Sequence, residues 1–271
     1  MSHFICTTCG TQHAESAAPP AGCAICLDER QYVKATGQQW TTLEQLRRTH
    51  RTAIRWEEPG LIGIGIEPHF SIGQRALLVH TPQGNVLWDC VSLVDPAIVE
   101  MTQALGGLKA IAISHPHYYT SMVEWSRACG GAPIYLHAAD QQWVQRPDAA
   151  IVAWQGETLS LGEGLTLIRC GGHFAGGTVL HWQAAAAGQG ALLTGDILQV
   201  VADRQHVSFM YSYPNFIPLS AAAVDQIVQA VAPFRYDRIY GAFWDMVIDH
   251  DGPAIVARSA ARYRQAIGAT P

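Results

Sequence analysis

The alternation of apolar and polar positions predicts strands, then helices, then strands and helices again. Residues 41–51 have helical spacing, with Thr42 placed as an N-cap and Leu43 and Leu46 on the apolar face. From 61 to 89 the pattern becomes that of strands: LIGIGIEP, RALLVHT and NVLWDC, the last two joined by a PQGN turn. Pro96 opens an apolar-periodic helix that runs to Leu105 and stops at two glycines, and KAIAIS reads as a buried strand running straight into His115. Residues 119–128 have helical spacing, PIYLH is a short strand, and 138–144 reads as another helix. ETLSL, LTLIRC, GTVLHW and ALLTGDI form a second block of strands. The last quarter holds a helix over 219–231, the strand RIYGAF and a helix over 253–267. This order predicts two similar halves, with sheets packed face to face and helices outside.

Composition narrows the picture. Of 271 residues, 49% are hydrophobic and 14% charged, which is enough for a sizeable core and excludes disorder for most of the chain. The long uncharged stretch 171–193 is interrupted by histidines, glutamines and glycines, so it is not a membrane span. A net charge of −5 argues against non-specific nucleic-acid binding. Arg47, Arg51 and Arg55 would share one helical face, next to Arg48, and read as a solvated surface. No basic segment followed by an apolar run directs secretion, so the expectation is a soluble, cytoplasmic protein. Its partner is expected to be a small molecule rather than nucleic acid or membrane, with a homo-oligomer left open.

The cysteines add a first candidate site. Four of the seven, Cys6, Cys9, Cys23 and Cys26, form two CxxC pairs thirteen residues apart. In a cytosolic chain such pairs read as a metal site, since two thiolate-bearing turns complete a zinc tetrahedron. A rubredoxin-like iron site and two disulfides are the alternatives. The segment is similar to a zinc ribbon or rubredoxin knuckle over about residues 1–35, too short to fold without its metal. Residues 36–54 read as a linker helix and 55–271 as the main domain. Cys90, Cys129 and Cys170 lie in or beside apolar segments and read as buried thiols.

The second candidate site follows the strands. His115 and His117 form an HxH pair directly after KAIAIS, and His173 follows LTLIRC through two glycines. On an extended segment, alternate imidazoles face one way and can share a metal. The ordered set VLWDC, ISHPHYYTS, GGHFAGG and LLTGDIL resembles the metallo-β-lactamase fold superfamily, over roughly residues 55–250. That resemblance implies an α/β fold, an αββα sandwich with metal at one sheet edge. It makes Asp89 the carboxylate that supports the metal loop, and Asp196 the carboxylate that reaches the metal.

Departures from the family pattern sharpen the expectation. Where the family has the Asp and second His of HxHxDH, this chain has Tyr119 and Thr120, and near the family's last histidine it has Ala242 and Phe243. The resemblance therefore leaves one ion on His115, His117 and His173, with Asp196 as a fourth ligand. Either zinc or non-haem iron suits that set. Tyr119 either plugs the vacated second site, contacts substrate or ligates, and Asp196 is the remaining base. Asp245 lies close enough in sequence to approach the metal. The aromatic-rich segment DRQHVSFMYSYPNFIPLS reads as a pocket wall, core packing or a subunit contact. The leading function is a hydrolase of a small ester, thioester or lactone using a single metal-activated water. The alternatives are a binding protein that has lost catalysis and an iron oxidoreductase similar to the persulfide dioxygenases.

Overall fold

A computed structural model describes residues 1–269, which form two compact units. The first comprises Met1–Leu136 and Gln141–Ala153. Its main sheet has seven strands in the order Ile151–Trp154, Ile134–His137, Leu108–Ala112, Asn85–Trp88, Ala76–Val79, Leu61–Glu67 and Arg51–Glu58. The strands from Arg51–Glu58 to Asn85–Trp88 pair antiparallel. Asn85–Trp88, Leu108–Ala112 and Ile134–His137 then run parallel. Parallel neighbours need a crossover, and the helix Pro96–Ala104 supplies the first, started by Pro96 and by Asp95, whose carboxylate accepts the Ile98 N–H at 3.1 Å. Because Asn85–Trp88 and Leu108–Ala112 are parallel neighbours, their carboxyl ends deliver Asp89 and the Ser114–His115 turn to one edge.

A three-stranded sheet in this unit, order Gln12–Ser16, Ser2–Cys6, Trp40–Thr42, carries the four cysteines. Cys6, Cys9, Cys23, Ile25 and Cys26 form its small core, with Trp40 and Trp143 packed against them.

The second unit comprises His137–Asp140 and the chain from Trp154 onward. Its sheet runs Thr158–Gly162, Leu165–Arg169, Thr178–Trp182, Ala191–Gly195, Arg238–Gly241, Val247–Ile248. Pairing is antiparallel except between Ala191–Gly195 and Arg238–Gly241. The turn after Leu165–Arg169 and the end of Ala191–Gly195 therefore fall at the same end of this sheet. Val224, Ile227 and Val231 of the helix Ala221–Val231, and Ile255, Val256 and Ala260 of Gly252–Ala266, cover Ile168, Val179, Leu192 and Ile239.

Three expectations shift. The helix over 41–51 is shorter, Leu43–Thr49, although Thr42 caps it through a full capping box with Gln45. Arg51–Glu58 is instead an edge strand, hidden from periodicity because it is exposed at Arg51, Ile54, Arg55 and Trp56. The arginine face consequently dissolves: Arg47 and Arg48 stay on the helix, Arg47 donating to the Val94 carbonyl at 2.7 Å, whereas Arg51 and Arg55 lie on the strand. The helix read at 119–128 begins only at Met122, after the 3₁₀ turn Pro116–Tyr118.

Candidate metal centres

The knuckle is built by two turns. Gly10 follows the first pair at φ +83°, a left-handed conformation that glycine adopts without a Cβ penalty, and its N–H returns to the Cys6 carbonyl at 2.8 Å. The second pair lies on the turn Ala24–Leu27, closed by Leu27 N–H to Cys23 O at 3.0 Å. All seven cysteines are free thiols. Cys6 and Cys26 sulfurs stand 3.5 Å apart, and those of Cys9 and Cys23 3.6 Å. A tetrahedron with zinc–sulfur bonds of about 2.3 Å has edges near 3.8 Å, so the four sulfurs form a group that can hold one metal ion. Thr8 N–H and the Gln38 side-chain amide both point at Cys6 Sγ, at 3.4 and 3.0 Å, as donors to thiolate.

The thiols also share their protons unevenly. At Cys6 the raising contact with Cys23 is outweighed by hydrogen bonds from Cys26 and Cys9, which pull it to about 6. Cys23 is lowered by Cys26, Cys6 and Cys9, whereas burial pushes Cys9 up and the contact with Cys23 pushes Cys26 up. A cation at the centre replaces the protons that Cys9 and Cys26 retain. Cys90, Cys129 and Cys170, by contrast, are buried with their thiols pushed up by burial, as inert thiols are.

In the first unit the chain leaves Leu108–Ala112 and turns sharply at the histidines. His115 is extended, but the chain then enters a 3₁₀ turn over Pro116–Tyr118, because Pro116 fixes the φ of a first helical position and Tyr118 N–H returns to His115 O at 3.0 Å. The turn still brings the two imidazoles together, with ring centroids 5.0 Å apart, both residues 1–2% exposed. Asp89 anchors this turn: its carboxylate accepts the Ser114 N–H at 2.7 Å, while its own N–H reaches Ala112 O at 2.8 Å. Ser114 Oγ lies 2.9 Å from His115 Nδ1. Tyr119 is 2% exposed, and Thr120 sits at φ +31°, a conformation β-branched residues avoid.

The second unit holds the other two predicted ligands. His173 lies on the turn between Leu165–Arg169 and Thr178–Trp182, and is buried. Its Nδ1 stands 2.8 Å from the Tyr211 carbonyl and 3.1 Å from that of Met210. Carbonyls only accept, so Nδ1 carries the proton and Nε2 offers the lone pair, as in metal-binding histidines. The glycine before it holds φ +78°, a conformation that side chains rarely adopt, and a Cβ on Gly172 would also press on Ile227 Cδ1 at 2.8 Å. Asp140 then fixes the far side of the turn by accepting the Gly176 N–H at 2.8 Å. Asp196 ends the strand Ala191–Gly195, 6% exposed, and its carbonyl accepts the Tyr213 hydroxyl at 2.9 Å. Burial, and then the Asp196 charge, push the Tyr213 hydroxyl up, which keeps it a donor.

A cavity of about 450 Å³ opens beside Tyr213 in the same unit, walled by Val200, Met210, Tyr213, Phe216, Phe243 and Met246. The segment read as a pocket wall, core or contact thus forms two small hairpins that line this cavity. Phe243, the guess for the family's terminal histidine, is part of the wall, and Asp245 lies exposed in the following turn. His137 and His181 each commit Nε2 to a backbone carbonyl, donating to Gly156 O (3.2 Å) and Arg235 O (2.8 Å). Sequence reasoning missed Ser114, Asp140 and Tyr213. Only Tyr213 carried any signal, its place in an aromatic-rich, aperiodic segment.

Strand ends that present histidines and an aspartate in this order, on two such sheets, define the metallo-β-lactamase fold. The structure is similar to the metallo-β-lactamase DIM-1 (TM-score 0.61, 11% identity, 80% of this chain and 98% of that one). It is likewise similar to the mono-zinc form of the metallo-β-lactamase FIM-1 from Pseudomonas aeruginosa (TM-score 0.58, 16% identity, 79% and 96%). No protein-family model matches the sequence. It is 49% identical over 269 residues to the uncharacterized protein YmaE of Bacillus subtilis (strain 168), covering 98% of this chain and 97% of that protein. The chain therefore belongs to the YmaE family, and its fold is that of the metallo-β-lactamases. Among the described residues no helix is long and apolar enough to cross a membrane.

Proposed function

We propose that the protein is a hydrolase of a small ester, thioester or lactone, working through one metal ion for which His115, His117, His173 and Asp196, in the family's order along the chain, are the candidate ligands. The observation that carries this reading is the preparation of the ligands: Asp89 fixes the histidine turn, and two carbonyls set the tautomer of His173. Three imidazoles with one carboxylate favour zinc over the two-imidazole set of non-haem iron. Zinc is also the ion proposed for the knuckle, and reduced thiolates there suit a cytoplasmic location. Bound at the histidines, zinc lowers the pKa of a coordinated water towards about 7 and polarises a carbonyl.

The chain's own residues supply the rest. Asp196, the one carboxylate of the set, would serve as the proton acceptor for the attacking water. Buried Tyr119 fills the place where the family keeps its second-site carboxylate, which restricts the centre to one ion. The cavity beside Tyr213 has no charged lining residue, so it favours an apolar acyl or alkyl group over a phosphorylated or acidic one.

The test is metal analysis combined with a chromogenic ester, thioester and lactone panel. Two zinc equivalents are expected, with turnover on at least one class and a preference for apolar acyl groups. His117→Ala should remove one equivalent and abolish turnover while the knuckle ion remains. A protein inactive on every class, with histidines that take up neither zinc nor iron, would overturn the reading in favour of a binding protein.

A further inference from the structure

We propose that the knuckle is the positioning element of the histidine turn: its strand Gln12–Ser16 holds the 115–120 segment in shape, so that loading the knuckle prepares the second metal centre. That this prepares a metal centre rests on His115 and His117 being ligands; the hold on the turn does not. The Gln12 N–H donates to the Thr120 carbonyl at 3.0 Å, and Gln12 is 3% exposed. Thr120 is held at φ +31°, and such a conformation persists in a β-branched residue only where its surroundings impose it. Arg146, 5% exposed, reaches both the Gln12 side-chain carbonyl and Glu124 at the start of the helix Met122–Ala128. The segment is thus pinned upstream by Asp89 and downstream twice, and both downstream pins involve Gln12.

The knuckle is itself fixed from both sides. Cys6 N–H bonds Thr11 O at 3.0 Å, which ties Gln12 to the cysteine turn. Ser92 Oγ donates to Gly10 O at 2.8 Å, Ser71 Oγ to Thr8 O at 2.9 Å, and Ala14 N–H to Gln145 O at 3.0 Å. The contact at Gly10 leaves no slack, since a Cβ there would stand 2.4 Å from Ser92 Oγ. A change in the cysteine cluster therefore reaches Thr120 through three consecutive residues, and His117 lies three residues further on.

Amide hydrogen exchange on the full chain tests this without requiring any ion at the histidines. Cys9→Ser, which removes the knuckle metal, should speed exchange across 114–122 by about tenfold or more while the strands Leu61–Glu67 and Leu165–Arg169 keep their protection. Arg146→Gln leaves all four cysteines intact and covers the case in which Cys9→Ser fails to fold. It should raise exchange in the same segment and weaken cobalt binding at the histidines by about tenfold. The thiolate-to-cobalt absorption of the knuckle should stay unchanged, and Arg146→Lys should restore part of the affinity. Unchanged exchange at 114–122 in a folded variant of either kind would overturn the inference. Histidines that bind no ion in the wild type, with exchange still coupled to the knuckle, would defeat the hydrolase reading and leave the positioning role standing.

Discussion

The cysteine knuckle and the histidine centre solve the same problem in opposite ways. The knuckle's ligands lie within residues 6–26, two to a turn, and their small core is little more than the sulfurs, Ile25 and two tryptophans. The histidine turns are instead held by strands and by dedicated acceptors, Asp89 for one and Asp140 with the 210–211 carbonyls for the other. An ion bound in the knuckle would supply folding energy that so small a core lacks. At the histidines the strands and these acceptors already set the geometry, as the proposed hydrolase would need. A ligand change at the knuckle should therefore cost structure there and at the turn it holds, whereas one at the histidines should cost function alone.

The largest effect expected is at the knuckle. Cys9→Ser should lose one metal equivalent and loosen residues 1–35 while the two main sheets persist, read by metal analysis and limited proteolysis; unchanged metal content would refute the assignment. His117→Ala is the converse: turnover is lost while the far-ultraviolet circular dichroism and the knuckle ion are retained. Next comes the second-site test. Tyr119→Asp with Thr120→His should give partial occupancy by an extra ion, and adding Phe243→His should give more, measured as metal equivalents per chain. Phe243 lies on the cavity wall, so the triple variant should also lose the preference for apolar acyl groups. Asp140→Ala leaves the Gly176 N–H without its acceptor and should cost about 1–3 kcal/mol in chemical unfolding.

The smallest effect is acid sensitivity unrelated to either metal. Burial holds the His137 and His181 imidazoles below the ordinary histidine value of 6.5. As pH falls through that value the unfolded chain takes up protons that the folded chain refuses, so stability present above it is progressively lost below it. His181→Gln should flatten the decline in thermal midpoint between pH 6.5 and about 5, and an unaltered slope would remove His181 as a cause.

Both groups that could hold a metal were legible in the sequence because each sits at a marked place: CxxC turns for one, histidines at the ends of apolar strands for the other. The strand Arg51–Glu58 was not, since an edge strand exposed along much of its length loses the alternation that betrays strands. The extended backbone read for the HPH segment holds at His115 only, because Pro116 sets a 3₁₀ turn over Pro116–Tyr118.

What the sequence determined by itself was chemistry: four cysteines at knuckle spacing, three imidazoles and a carboxylate in family order, with Tyr119 and Thr120 after the histidine pair. Tertiary structure alone decided which groups orient that chemistry. Asp140 reaches Gly176 across thirty-six positions of chain and Gln12 reaches Thr120 across more than a hundred. Both contacts are made wholly or partly by the backbone, and a main-chain N–H or carbonyl is the same at every non-proline residue. Such partners leave no mark in the identity of the residues they hold, and only the folded path of the chain brings them together.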